Sequence, residues 1–152
     1  LAHNGKLKGI KRRPLAYYRP IGTTDSEYAF CWILDQVRAR FPARPRSERR
    51  LRRFIGELAQ DIDALGPFNM LLCDSRDLYC HCSTNLSWLT RRAPFGPASL
   101  IDTDMIVDFA KETTPKDIVT VIATQPLTHH EPWVRMDPGS LVVFHDGLPV
   151  AV

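Results

Sequence analysis

A change of period at Gly66-Pro67 constrains this chain more than any other feature. Before it, Phe30, Ile33, Leu34, Val37 and Phe41 fall at three- and four-residue steps, as do Leu51, Phe54, Ile55, Leu58, Ile62 and Leu65. That is the spacing of two amphipathic helices. After it, apolar residues come in short runs rich in Val, Ile, Leu and aromatics, bounded by turn residues, which is the texture of strands. Helices followed by a run of strands is the order of an α+β fold.

The boundaries have chemical causes. Thr24-Asp25-Ser26-Glu27 has the form of a capping box, with Thr24 as the cap and Glu27 reaching back to the cap amide. It predicts a helix over 25–41, ended by the Pro-rich stretch 42–46. Ser47 is the natural cap of a second helix, which Gly66-Pro67 stops. A connection this short predicts that the two helices pack side by side. Strands are expected over 68–73 and 78–83, joined by a hairpin turn at Asp74-Ser75-Arg76-Asp77, and over 86–90, 105–109, 118–124 and 141–145. Asp146-Gly147 then turns the chain into 148–152. Residues 1–22 carry Gly5, Gly9, Pro14, Pro20 and Gly22, and read as a loop or irregular crossing with a short turn of helix.

With 152 residues, 44% hydrophobic and 24% charged, the chain has the composition of one globular domain. No apolar run approaches the roughly 18–20 residues that span a bilayer, and no secretory h-region follows a basic start. A cytoplasmic protein without a membrane partner is expected. Cys31, Cys73, Cys80 and Cys82 lack framework spacing, which points to reduced thiols. In Cys80-His81-Cys82 the strand period sends the two thiols to one face and the imidazole to the other, so the three do not form a metal site. His129-His130-Glu131 lies in a polar loop, and no cofactor or metal is expected there or elsewhere. The net charge is +3, and its one strong cluster is Arg44, Arg46, Arg49, Arg50, Arg52 and Arg53. Arg49, Arg50, Arg52 and Arg53 read as the solvated face of the second helix. A footprint for nucleic acid or another polyanion is the rival, but it lacks interleaved aromatics, and Glu48, Glu57, Asp61 and Asp63 dilute the field.

Two short motifs carry possible chemistry. In Ala2-His3-Asn4-Gly5, an Asn amide and a Gly backbone N–H can both face one developing oxyanion. Alone, Asn-Gly is above all a turn dipeptide. Asp25 stands in the first turn of a helix, where a carboxylate is stabilised and can bind an ammonium group. Alone, it is a good helix start.

Taken together and in order, the motifs resemble the class II glutamine amidotransferases, whose catalytic domain is an N-terminal-nucleophile hydrolase. The resemblance rests on His3-Asn4-Gly5 before Thr24-Asp25-Ser26-Glu27, then Phe68-Asn69 leading Met70-Leu71-Leu72-Cys73-Asp74. It continues through Ala123-Thr124-Gln125-Pro126-Leu127, Glu131 and Trp133 to Pro138-Gly139 and Asp146-Gly147. The order and spacing look especially like the small stand-alone members that consist of the glutaminase domain alone. In that family an N-terminal Cys attacks the side-chain amide of glutamine, with its own α-amino group as base. The resemblance implies that Asn4 and Gly5 form the oxyanion hole and that Asp25 binds the α-ammonium of glutamine. It also implies a four-layer αββα sandwich, with glutamine as the small-molecule partner and an unspecified acceptor for the ammonia. No Cys stands at or near Leu1, and the family's upstream arginine for the glutamine carboxylate has no counterpart. Residues 1–152 are therefore expected to be the C-terminal portion of a single amidotransferase domain, inactive alone and with incompletely covered sheets. Ser75 replaces a usual Gly at the hairpin tip, and Gln125 replaces a common acid. A non-catalytic binding module is the alternative.

Overall fold

Thr24 opens the first helix as its motif predicts. Its Oγ1 accepts the Glu27 N–H at 3.2 Å, and α1 runs over Asp25–Arg40. The capping box closes in one direction only. The Glu27 carboxylate turns outward to the N–H groups of Ile21 and Gly22, at 2.8 and 2.7 Å, because the incoming loop presents them first. The computed structural model describes residues 1–101, 106–108 and 113–152.

The second helix, α2, spans Glu48–Asp63, and Ser47 at its N-cap makes no side-chain cap bond. Leu51, Ile55, Leu58 and Ile62 of the expected stripe are buried, and Phe54 and Leu65 pack against them. Gly56 allows the close approach to the sheet: a Cβ there would stand 3.1 Å from Leu141 Cδ2. Of the expected α1 stripe Ile33 is buried, and Phe30, Leu34, Val37 and Phe41 are half-buried. Cys31, Trp32 and Asp35 are also buried, because the segment before the helix wraps its far side. Asp35 is the hook, accepting the N–H groups of Ala16, Tyr17 and Tyr18. Burial alone would raise its carboxyl, but these backbone bonds outweigh burial and hold it below the ordinary aspartate value.

The strands are β1 (Ala2–Gly5), β2 (Phe68–Cys73), β3 (Asp77–His81), β4 (Ser87–Arg92), β5 (Pro97–Ser99), β6 (Ile106–Asp108), β7 (Ile118–Ala123), β8 (Val134–Arg135), β9 (Leu141–His145) and β10 (Leu148–Val150). Met105 and Phe109, the ends of one expected strand, lie outside the described residues. A five-stranded antiparallel sheet has the order β1-β2-β3-β9-β10, and a three-stranded sheet the order β7-β4-β8. β5 and β6 form a separate pair. The expectation of a loop over 1–22 is corrected at β1. A four-residue strand beside a glycine leaves no visible period, and its partner β2 lies more than sixty residues away in sequence.

Pleating assigns the two faces of the large sheet. Phe68, Met70, Leu72, Tyr79 and Val143 join the helices in one core. On the other face, Cys80 and Phe144 join Cys82, Leu86 and Met136, with Trp88 and Ile122 of the smaller sheet packed against them. The Trp88 and Phe144 rings meet edge to face at 5.4 Å. The result is a helix layer on a five-stranded sheet, itself on a three-stranded sheet. No helix of the described residues is long and apolar enough to cross a membrane.

Candidate active site

β1 is an edge strand, and its register sets which way each residue faces. Ala2, His3, Asn4 and Gly5 oppose Leu71, Met70, Asn69 and Phe68. His3 shares the helix-side face with Met70, and its ring joins the strand to its surroundings. Nδ1 lies 2.9 Å from Ser26 Oγ and Nε2 lies 3.1 Å from the Pro67 carbonyl. A carbonyl can only accept, so Nε2 carries the proton and the Ser26 hydroxyl donates to Nδ1. Asn4 alternates to the other face. It is exposed, and its side-chain amide has no hydrogen-bond partner among the described residues. Gly5 is exposed too, at φ +149°, and a Cβ there would lie 1.9 Å from the Pro67 oxygen. Glycine is required at this position by backbone contact as well as by backbone angle.

Asp25 sits at the start of α1, where both carboxylate oxygens take backbone donors. Oδ2 accepts the Leu7 N–H at 2.8 Å and Oδ1 accepts the Ser26 N–H at 2.9 Å. The bond from Leu7 is the main reason its carboxyl lies below the usual range, and partial burial opposes the shift. Each oxygen keeps a second lone pair. His3–Ser26 and Leu7–Asp25 tie β1 and the segment after it to the start of α1, and the corner so formed carries Asp25 on the helix and Asn4 on the opposite face of β1 from His3.

Asn69 is the residue of this corner that motif reading left without a role. It is buried. Its Oδ1 accepts the N–H groups of Ser83 and Thr84 at 3.0 and 3.1 Å. Its Nδ2 donates to Thr84 Oγ1 at 2.8 Å and lies 3.4 Å from the Asn4 carbonyl. The amide thus ties β1 to the chain leaving β3. The signal was present in the pair Phe68-Asn69, but its meaning depends on a register that no local pattern reveals.

Cys82 directly precedes Ser83, whose N–H Asn69 accepts, but its thiol is buried toward the Met136 carbonyl. Cys31, Cys80 and Cys82 are buried, and burial raises all three thiols, Cys80 to about 12. Cys73 is exposed but lies four residues along β2 from Asn69, about 13 Å at the rise of a strand. His81 is fully buried. The Asp63 carboxylate stands 3.5 Å from its Nε2, yet neither ring nitrogen makes a hydrogen bond. Burial lowers the imidazole's proton affinity, with the Asp63 carboxylate opposing the shift. No group of His, Cys, Asp and Glu among the described residues could hold a metal ion.

The remaining motif residues serve the frame. Glu131 accepts Arg91 Nε and Nη2 at 2.8 and 2.6 Å and also the Thr128 hydroxyl. Arg91 is the main cause of its lowered carboxyl. Trp133 Nε1 donates to Thr128 at 3.0 Å, so Glu131 and Trp133 together pin their loop to β4. His129 and His130 are exposed. The arginine run is only partly the solvated face expected of it. Arg52 reaches the buried Asp77 at 2.7 Å, and Arg44 pairs with Glu48 and Asp74. Helical spacing separates the faces of α2 but says nothing of an acid on a neighbouring strand.

The chain matches the family of class II glutamine amidotransferases over residues 1–152 and belongs to it. It is 50% identical over 143 residues to "Putative glutamine amidotransferase YafJ" of Escherichia coli, which covers 94% of this chain and 56% of that protein. It is 38% identical over 150 residues to a protein of the same description from Haemophilus influenzae, covering 99% of this chain and 51% of the relative. A crystal structure described as a predicted glutamine amidotransferase from Pseudomonas aeruginosa superposes with a TM-score of 0.86 at 45% identity, covering 99% of this chain and 59% of that one. The chain spans about half the length of the curated relatives it matches.

Proposed function

We propose that residues 1–152 supply the oxyanion hole and the glutamine α-ammonium site of a class II amidotransferase whose nucleophilic cysteine comes from outside this stretch. The observation that carries this reading is the corner formed by β1 and α1. There a free Asn4 amide and a Gly5 that tolerates no Cβ stand on β1, which His3 ties to Ser26, while Leu7 just beyond the strand is tied to Asp25. In the proposed reaction the cysteine thiol attacks the amide carbon of glutamine while its α-amino group takes the proton. Asn4 Nδ2 and the Gly5 N–H stabilise the oxyanion, and Asp25 holds the substrate ammonium. The tetrahedral intermediate collapses by expelling ammonia, which carries away the proton. Water then hydrolyses the thioester to glutamate and restores the thiol. We read the helix layer and the two sheets beneath it as part of the αββα sandwich that goes with this chemistry.

The test is glutamine-dependent release of glutamate and ammonia by the full-length protein. Asn4→Ala should lower kcat by about 10²–10³ with the fold intact, and unchanged turnover would remove Asn4 from the oxyanion hole. The burial of Cys31, Cys80 and Cys82, which raises their thiols, favours a second reading, a non-catalytic binding module. Saturable glutamine binding with no ammonia from the full-length protein would select it.

A further inference from the structure

A concavity of about 280 Å³ lies where the C-terminal end of α1 meets the first turns of α2, and the glutamine corner does not use it. Arg40, Arg49, Arg50 and Arg53 line it, over Phe41 and Phe54, and Glu57 is the one acid in the lining. Arg40, Arg50 and Arg53 have no carboxylate partner among the described residues, while Arg49 donates from Nε to the Val152 carbonyl at 3.0 Å. Arg50 and Arg53 are one helical turn apart and share a face of α2. The Phe41 ring stands edge to face with Phe54 at 5.5 Å. The guanidiniums of Arg40 and Arg50 lie 5.7 and 6.0 Å from its centre, within cation–π reach, which restrains them before any ligand arrives.

Four arginines against one glutamate in a concave surface repel one another unless an anion enters. The N-terminus of α2, uncapped by the Ser47 side chain, adds partial positive charge. We propose that this concavity binds a small phosphorylated compound carrying at least two negative charges. Guanidinium forks match phosphoryl oxygens in geometry and charge. The neighbouring cations argue for a compact ligand over a polynucleotide. Arg44, Arg52 and Arg76 are engaged by Glu48, Asp74 and Asp77, which leaves Arg46 as the one further cation of the 44–53 run without a carboxylate partner among the described residues, too few to form a track. The site is distinct from the glutamine corner. The 16 residues of α1 set Arg40 about 22 Å along the helix axis from Asp25.

Isothermal titration of the full-length protein with inorganic pyrophosphate and with adenosine diphosphate, at about 150 mM salt, tests this. Saturable binding of either probe is expected, weakened about tenfold or more in Arg50→Ala/Arg53→Ala with the melting temperature unchanged. If that double variant melts early, Arg40→Ala on the other helix should show the same loss of affinity. No saturable binding of either probe overturns the proposal, as does an affinity that survives both sets of substitutions. Binding of a single-stranded RNA oligonucleotide while both small probes fail also overturns it and makes this face a nucleic-acid surface.

Discussion

Arg52 donates from Nε to Asp77 at 2.7 Å, and His145 Nδ1 stands 2.8 Å from the other oxygen of the same buried carboxylate. The three residues lock α2 to β3 and β9. Burial alone would raise the Asp77 carboxyl. The Arg52 and His145 bonds outweigh it and hold the group below its ordinary value. Removing Arg52 leaves a charge that neither solvent nor a guanidinium compensates. Arg52→Met should therefore lower unfolding stability by about 3–5 kcal/mol in urea titration, and Arg52→Met/Asp77→Leu should recover most of that loss. A depressed folded-state carboxyl contributes stability that is present above the unfolded value, about 3.9, and lost as pH falls through the folded one. Below about pH 4 the native chain should lose stability more steeply than the double variant. Parallel acid limbs would show that the pair contributes nothing through Asp77.

Asn4 and Gly5 adjoin in sequence, yet substitution should affect them in different ways. Asn4 is exposed with a free amide, so Asn4→Ala should change stability by less than about 0.5 kcal/mol while turnover falls. Gly5→Ala drives a Cβ to 1.9 Å from the Pro67 oxygen, which forces β1 away from the Gly66-Pro67 turn. It should cost about 2 kcal/mol or more and lower activity through the fold. Thermal melts of the two variants, run beside the ammonia assay, separate the roles. A Gly5→Ala protein with native melting and normal turnover would contradict the contact.

The parts of this molecule legible in its sequence are those set by local spacing. Leu51, Ile55, Leu58 and Ile62 declare α2 because a helix repeats every few residues, and Thr24 and Glu27 mark the start of α1 by neighbouring chemistry. Membership of the amidotransferase family was legible too, because an ordered set of motifs from Asn4 to Gly147 survives without coordinates. What stayed hidden depends on pairing across distance. β1 becomes a strand only because Asn4 meets Asn69. Arg52 looks like a surface residue until β3 places Asp77 beneath it, and Asp35 looks like a polar lapse in a helix until three N–H groups from 16–18 arrive on it.

Asn69 is expected to be a positioning residue for Asn4. Its Oδ1 satisfies two backbone donors and its Nδ2 faces the Asn4 carbonyl. Asn69→Asp keeps the acceptor and loses the donor, and it places a carboxylate beside two carbonyl-bearing strands. Asn69→Leu loses both functions and strands the Ser83 and Thr84 N–H groups, at a cost of about 1–3 kcal/mol. If Asn69 acts through Asn4, Asn69→Asp should lower kcat with KM for glutamine nearly unchanged, and Asn4→Ala/Asn69→Asp should be no slower than Asn4→Ala alone. Multiplicative losses in the double variant would show that Asn69 acts elsewhere.

Asp25 carries two assignments, one structural and one proposed, and pH separates them. Its carboxyl lies below the usual range chiefly through the Leu7 N–H, so it stays charged throughout the working range of an enzyme at neutral pH. Its contribution to stability is present above about 3.9 and is lost as pH falls through the lower folded value. Ammonium binding by Asp25 should accordingly give a KM for glutamine that is flat from about pH 5 to 8 on the carboxylate side. Asp25→Asn removes the charge and turns an NH₂ toward a backbone donor. It should destabilise the Leu7 tether by about 1 kcal/mol and raise KM about tenfold or more. The structural role alone predicts the first effect without the second. A variant that melts early but keeps its KM would leave Asp25 as the anchor of the segment after β1 and assign the substrate ammonium to another group.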